Sequence, residues 1–493
     1  MFRIRVIASG SVRDIYPETG SSLLAILRSN GFNVYAPCGG RGACGKCSVR
    51  IRGLGEIFSC RYFPDKDIEV LLPGREESNI LIHQTEYLLD LPFVTDREAG
   101  YDSNAIGAAI DIGTTTIVIY FINLYSGEIE KISSFLNPQI AYGADIITRI
   151  TYCQQTHEGL EKLQKVITGS LNEAIQRFKI ERGLHPGYIK KLIVAGNNTM
   201  LHILLGVDPV PLALAPFRPA FIDTQVRKGT LSELIAEEDT LLITLPSVSA
   251  YVGADIVAGL AVLKTDFRRY LFLDIGTNGE MALVNGKRIL TCATAAGPAF
   301  EGANLSCGMA ALTGAISHFH SDGNYDVIGN GEPAGICGSG IIDIVAYMLH
   351  KGIIDSTGLL NGGFSIGKEG GIEVSQQDIR EIQLAKAAIF SGMRILLQRA
   401  GLRFGDLDAL FLAGGFGNYI NISSAIEIRL LPVEMKDKIF PVGNSAVIGA
   451  LQYIRNSDFS HRIRQIQSRC EYVELSDDEG FATEFAMNMD FPL

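Results

Sequence analysis

Two stretches of this chain are built to one plan, and that repetition restricts the fold more than any other feature. AAIDIGTTTIVIYFI contains Asp111-Ile112-Gly113-Thr114-Thr115-Thr116, and LFLDIGTNGEMALV contains Asp274-Ile275-Gly276-Thr277-Asn278-Gly279. Each reads as an apolar strand ending in Asp-x-Gly-Thr, a turn, and a second strand. A second pair follows in the same order: IVAGNNTM at 193–200 and FLAGGFGN at 411–418. Two elements recurring in the same order predict a duplicated domain, with lobes at 105–265 and 266–493. Strands and helices alternate from Ala105 onward, which predicts an α/β architecture.

A strand ending in Asp-x-Gly-Thr is suited to handling phosphate. The carboxylate can hold Mg²⁺ or its water shell, Gly lets the backbone approach, and Thr hydroxyls and N–H groups can bond phosphate oxygens. A strand running into Gly414-Gly415 leaves space for a flat adenosine. One such Asp is an ordinary turn residue; two copies followed by LAGGFGN point to a nucleotide. Asp145 and Asp255 each lie in Gly-Ala-Asp-Ile before an apolar helical run. Either can orient a water or a metal, and either can be a helix-start residue bonding its own backbone. Asp255 is preferred for the functional role. The histidines, His318 and His320 included, show no partner spacing.

The N-terminal part is of a different kind. Residues 2–8 and 11–16 read as strands, Ser21 to Asn30 as a helix stopped by Gly31, and 36–47 as a loop rich in Gly and Cys. Ser48–Arg52 and Glu56–Ser59 read as a hairpin around Gly53-Leu54-Gly55, and Asp67–Leu72 as a last strand. These make a unit of residues 1–73. Residues 74–104, polar except at Tyr87–Leu91, read as a linker. No signal peptide and no run of about 18 apolar residues is seen, so the expected location is the cytoplasm, without a membrane span. The net charge of -11 argues against nucleic acid as a partner.

Of nine cysteines, four crowd into that first unit as Cys38-x5-Cys44-x2-Cys47, with Cys60 following. A secreted disulfide framework spreads its pairs; one dense cluster in a long chain points to metal or redox chemistry. Thiolates suit zinc or iron–sulfur clusters. Zinc sites usually carry two C-x2-C knuckles and only one occurs here, so a [2Fe–2S] cluster is preferred over zinc or plain thiols. Gly39, Gly40, Gly42 and Gly45 let backbone N–H groups approach the sulfides, which tunes the potential. The spacing resembles ferredoxins: plant-type chains use C-x4-C-x2-C, and one extra residue resembles the adrenodoxin-like branch. Cys153, Cys292, Cys307, Cys337 and Cys470 lack ligand spacing and read as small hydrophobes.

The repeated segments resemble the two phosphate motifs and the adenosine motif of the superfamily of acetate and sugar kinases, heat-shock chaperones and actin. NPQIAYGADIITRI at 137–150, YVGADIVAGL at 251–260, GPAFEGANLSCGM at 297–309, CGSGIID at 337–343 and QLAKAAI at 383–389 narrow the match. With the ferredoxin unit, the chain resembles the reductive activators of corrinoid proteins over nearly its whole length. That resemblance implies a ferredoxin-like (β-grasp) α+β domain followed by a two-lobed α/β actin-like ATPase with a duplicated core. It implies that Asp111, Gly113, Thr114 and Thr115 face the phosphates from one lobe and Asp274, Gly276, Thr277 and Asn278 from the other. Gly414 and Gly415 would flank the adenosine, with Glu301 and Ser339 at the ribose or base. Cofactors would be a [2Fe–2S] cluster on Cys38, Cys44, Cys47 and Cys60, ATP and Mg.

The implied activity is reduction of cobalt(II) to cobalt(I) in a corrinoid protein of a methyltransferase system. One electron would come from an external low-potential donor, and closure of the lobes on ATP would ease the step. Alternatives are a small-molecule kinase with an attached redox domain, an ATP-driven donor to another low-potential enzyme, and a nucleotide-binding module without turnover. Residues 1–77 hold 11 Lys/Arg against 8 Asp/Glu, whereas the whole chain holds 43 against 54. Arg41, Lys46, Arg50, Arg52 and Arg61 are therefore either ordinary solvated residues or a basic docking face around the cluster.

Overall fold

The computed structural model describes residues 2–8, 11–17, 20–30, 32, 34, 36, 47–72, 86–94, 100–185, 187–229, 239–367, 371–417 and 419–492. The first unit holds β1 (Ile4–Ala8), β2 (Ser11–Ile15), α1 (Leu23–Ser29), β3 (Ser48–Ile51), β4 (Gly55–Phe58) and β5 (Ile68–Leu72). Its sheet runs β2-β1-β5-β3-β4, with β1 and β5 parallel and the other neighbours antiparallel. This is the β-grasp arrangement. Alternation puts Ile4, Val6, Val49, Ile51 and Val70 on one face, where they bury Leu23, Leu24 and Leu27 of α1. Ser22 caps α1 by accepting from the Ala25 N–H, a contact worth about 1 kcal/mol. Cys47 is buried in this core and Cys60 packs against it.

The next elements are β6 (Ile106–Ile112), β7 (Thr116–Asn123), β8 (Ile129–Leu136), α2 (Ile146–Gln155), α3 (Gly159–Arg182), β9 (Ile189–Gly196), α4 (Asn198–Leu205), α5 (Val210–Ala213), β10 (Gln225–Lys228), β11 (Leu241–Thr244) and α6 (Ala254–Val262). After them come β12 (Arg269–Ile275), β13 (Gly279–Asn285), β14 (Arg288–Thr294), the small sheet of β15 (Ala315–Phe319), β16 (Tyr325–Val327) and β17 (Gly335–Ile336), and α7 (Gly338–His350). The hairpin of β18 (Phe364–Ile366) and β19 (Ile372–Val374) precedes α8 (Gln376–Ala400), β20 (Ala409–Ala413), α9 (Gly414–Gly417), α10 (Ile422–Glu427) and β21 (Ile439–Gly443). The chain ends in α11 (Ser445–Arg455), α12 (Phe459–Arg469), β22 (Cys470–Tyr472) and α13 (Phe481–Met487).

Two six-stranded sheets result, β10-β11-β9-β6-β7-β8 and β21-β20-β12-β13-β14-β22. In each, the Asp-bearing strand forms a hairpin with its successor and pairs in parallel with the strand of the second echo. The registers coincide: Asp111 lies opposite Ala195, and Asp274 opposite Ala413. β6 and β12 are buried along almost their whole length, as the apolar runs require, and each carries its Asp one residue before its end. No helix of the described residues is long and apolar enough to cross a membrane.

Two features add to the division drawn on the sequence. The helices at the end of the second lobe return to the first: α11 packs on α6, β6 and β9, and α12 packs on α6. Ala446, Val447, Ala450 and Leu451 share one core with Ile110, Val194 and Val257. The other concerns the linker. Tyr87–Val94 is docked: the Leu89 N–H donates to Val262 O at 2.8 Å, the Lys264 N–H to Tyr87 O at 2.7 Å, and the Val94 N–H to Arg455 O at 2.9 Å. Tyr87 lies against Phe411 and Phe440, with ring centres 5.5 and 4.6 Å away. The short apolar stretch in a polar surrounding is what anchors it. Residues 74–85 and 95–99 of that segment lie outside the described residues.

Candidate functional site

Both Asp-x-Gly-Thr turns open into one cavity of about 720 Å³. The first lobe contributes Asp111, Gly113, Thr114 and Thr115 to its wall; the second contributes Asp274, Gly276, Thr277 and Asn278. Gly414, Gly415 and Ser339 also line it, as do Asp255 and Glu301. The Gly113 N–H closes its turn on Thr116 O at 2.9 Å, and a Cβ on Gly113 would sit 2.7 Å from that oxygen. Gly414 has φ +84°, and a Cβ there would strike Asp274 Oδ1. That glycine is therefore required by Asp274, whereas Gly415 faces open space.

Glu301 lies between the two turns. Its Oε2 accepts from Thr115 Oγ1 at 2.7 Å and from Thr277 Oγ1 at 2.5 Å, so it ties the two turns together across the cleft. Ser339, in the first turn of α7, donates to Ser317 O at 2.8 Å. Asp145 caps α2, accepting from the Thr148 N–H at 2.7 Å. Asp255 instead lines the cavity from the first turn of α6.

Five carboxylates, Asp111, Asp255, Asp274, Glu280 and Glu301, share this cavity. Burial pushes Asp111 up to about 7; the Asn444 side chain, donating to Oδ2 at 2.8 Å, opposes the rise, and the Asp255 charge adds to it. Asp274 is raised well above the carboxylate range by burial and then by Asp255, Asp111 and Glu301. Burial raises both Asp255 and Glu280; Glu280 goes further, because the Asp255 charge favours its protonated form. Burial raises Glu301 too, against the Thr277 and Thr115 hydroxyls and Arg149. Such a wall repels bare polyphosphate and accepts it with a divalent cation. Among the described residues no three His, Cys, Asp or Glu side chains converge as a metal cage.

Behind the first turn lies Arg149, fully buried. It donates to Thr114 O at 2.5 Å, Gly143 O at 2.9 Å and Gln139 Oε1 at 3.3 Å. Burial lowers its pKa to about 9, with Glu301 and Asp145 opposing. Asn137 Nδ2 donates to Gly113 O, and Asn197 Nδ2 to Thr114 Oγ1. His318, facing the cavity, lies 3.2 Å from Asp343, whose hydrogen bond raises its pKa.

Sequence reasoning passes over Asn137, Arg149, Glu280, Asn444 and the His318–Asp343 pair. One signal was available: GADIVAGL at 253–260 and GNSAVIGAL at 443–451 form a third echo, sharing Gly, Val and Gly. It places Asn444 at the N-terminus of α11 as Gly253 and Asp255 stand at that of α6.

In the first unit, Cys47 and Cys60 lie together: the Cys60 N–H donates to Cys47 Sγ at 3.4 Å. The Ser59 N–H and hydroxyl both donate to Cys47 O, at 2.9 and 2.8 Å. An N–H aimed at sulfur is the contact that stabilises a metal-bound thiolate, so these two residues fit a cluster. Cys38 and Cys44, with Gly39, Gly40, Arg41, Gly42, Gly45 and Lys46, lie outside the described residues. Of the basic residues around the loop, Arg52 pairs with Glu69 at 3.0 Å and Arg50 with Glu56 at 3.9 Å, which reduces the charge open to a partner. Cys153 and Cys470 are pushed up to about 12 by burial, and Cys292 higher still, the state of inert core thiols.

The family described as the RACo middle region matches residues 106–268, and that described as the C-terminal domain of RACo, the ASKHA domain, matches 268–493. The corrinoid activation enzyme RamQ of Eubacterium limosum is 30% identical over 568 aligned positions, covering 94% of this chain and 95% of its own. The reductase of Methanosarcina barkeri for the Co(II) methylated amine-specific corrinoid protein is 28% identical, over 71% of this chain and 69% of its own. A solved reductive activator for a corrinoid, iron–sulfur protein superposes with a TM-score of 0.73 at 28% identity, covering 99% of this chain and 98% of that one.

Proposed function

The chain belongs to the family of reductive activators of corrinoid proteins, and on that premise we propose that it uses ATP to return a corrinoid protein's cobalt from Co(II) to Co(I). The observation that carries this reading is the joining, in one chain, of the Cys47–Cys60 contact to a cleft walled by both Asp-x-Gly-Thr turns. Cys38, Cys44, Cys47 and Cys60 hold a [2Fe–2S] cluster, which supplies one-electron transfer at low potential when bound. In the cleft, Thr114, Thr115, Thr277 and Asn278 offer donors to phosphate oxygens, and Asp111 and Asp274 take the Mg²⁺. Asp255, beside Glu280, orients water. Gly415 and Ser339 border the nucleoside, while Gly414 keeps Asp274 in place.

Co(II) reduction is uphill from a plant-type cluster potential near about -400 mV. Each 59 mV of gap costs about 1.4 kcal/mol for one electron, so one or two hundred millivolts cost about 2–5 kcal/mol. A nucleotide that touches both lobes and favours their closure is a source for that energy. The partner is a corrinoid protein of a methyltransferase system, and the electron enters from an external low-potential donor.

The test is anaerobic, with iron and sulfide restored. The Co(I) absorption band of a corrinoid partner is expected to rise only when reductant and Mg-ATP are both present. Cys60→Ala should remove the cluster spectrum and keep ATP binding; Asp274→Ala should do the reverse and stall cobalt reduction. Co(I) forming equally fast without ATP would refute the coupling. Phosphorylation of a small acid or sugar in its place would identify a kinase.

A further inference from the structure

The first unit meets the first lobe at Arg28. Its guanidinium lies 5.5 Å from the centre of the Tyr142 ring, and Tyr142 packs against Tyr152 at 5.1 Å. The Arg28 charge reaches both rings: it opposes the rise that burial causes in each phenol's pKa.

Each side of this contact runs directly into a functional segment. On the first unit, Arg28 stands in the last turn of α1, and its Nη2 donates to Val34 O at 3.5 Å. Val34 and Ala36 are buried in the same core as Cys47 and lead into the cysteine loop. On the lobe, Tyr142 ends the tight turn of Pro138–Ala141, with its N–H on Gln139 O at 2.9 Å. One residue before that turn, the Asn137 N–H donates to Thr115 O and its side chain to Gly113 O, both at 2.8 Å. One residue after Tyr142, the Gly143 carbonyl accepts from Arg149, the guanidinium that also holds Thr114 O. The segment has little slack: a Cβ on Gly143 would lie 2.5 Å from Thr148 Oγ1 and 2.8 Å from Arg149 N.

We propose that Tyr142 and Arg28 form the positioning contact that transmits occupancy of the phosphate turn Gly113–Thr115 to the cysteine-bearing unit. Phosphate oxygens drawn to the Thr114 and Thr115 N–H groups polarise and shift the very carbonyls that Asn137 and Arg149 grip. The 137–143 segment moves with them, and Tyr142 carries Arg28 and, through its bond to Val34 O, Val34 to a new seat. A ligand can bias the unit this way only because it binds one seating better than the other. The proposal rests on the reading that the cleft takes ATP and the first unit takes a cluster.

The experiment uses the full-length, cluster-loaded protein with Mg-ADP or a non-hydrolysable Mg-ATP analogue. Amide exchange over Leu23–Ala36 is expected to differ several-fold between the two nucleotides. Arg28→Ala should erase that difference and slow ATP-dependent cobalt reduction about tenfold, within the reach of one cation–π contact. Its cluster spectrum and basal ATP turnover should stay unchanged. Tyr142→Ala should behave as Arg28→Ala, while Tyr142→Phe, which keeps the ring, should retain the nucleotide response. An Arg28→Ala protein that still shows the difference, or a wild-type protein that binds both nucleotides and shows none, overturns the proposal. A wild-type protein that binds no ATP, or forms no cluster, overturns the reading beneath it and this contact's role together.

Discussion

A carboxylate among four others has good reason to keep its proton. Asp111 is raised from 3.8 to about 7 by burial, so the folded protein binds that proton more tightly than the unfolded chain does. Its contribution to stability is therefore greatest at low pH and is lost as pH rises through about 7. Asp111→Asn removes that loss while still accepting the hydrogen bond from Asn444. Because the side chain faces an open cavity, the gain expected at pH 8 is about 1–3 kcal/mol rather than the full shift. It should vanish toward pH 4, and Mg-ATP turnover should be abolished at both. Denaturant unfolding at the two pH values, beside an ATPase assay, measures both parts. The same residue shows what a sequence conceals. Asp111 and Asp274 are legible because each stands one residue before the end of an apolar strand. Glu280 is not, since it sits one residue into β13 and its burial and the bond from the Gly253 N–H of the other lobe, at 3.1 Å, arise only when the chain folds.

At the level of elements, the strands and the repeat are legible because burial on both faces leaves unbroken apolar runs. Helix partners are less so. Arg149 falls within an ordinary amphipathic helix, and only the folded chain shows that it points at Thr114. The linker misleads for a related reason: polar neighbours mask the anchoring role of Tyr87, Leu88 and Leu89, which pack on the main core. Tyr87→Ala should lower the unfolding free energy by about 1–3 kcal/mol, less than a fully buried aromatic would cost because this ring is only partly covered. Urea unfolding of the two proteins checks it, and an unchanged midpoint would show that the strap is not held by its ring.

In the whole molecule the decisive contact is the crossing of α6 and α11. It is made by small residues: a Cβ on Gly449 would come 2.6 Å from Ala258 O, and one on Gly259 would come 2.8 Å from Ser445 Oγ. Gly449→Val should push the helices apart, costing about 1–3 kcal/mol of stability. Because α11 carries Asn444 onto Asp111, ATP turnover should fall as well, with the cluster spectrum untouched; absorption, calorimetry and an ATPase assay read the three effects. The exchange of helices also decides how the chain can be severed. Lys264, Asp266 and Arg268 are exposed, so a protease site built there can be cut. The two pieces should nevertheless travel as one particle through gel filtration, since α11 remains seated on β6 and β9. Produced alone, residues 266–493 would present Ala446, Val447, Ala450 and Leu451 to water and should aggregate. Made beside residues 1–265, they should complement them and restore ATP turnover, a duplication that has become indivisible without being continuous.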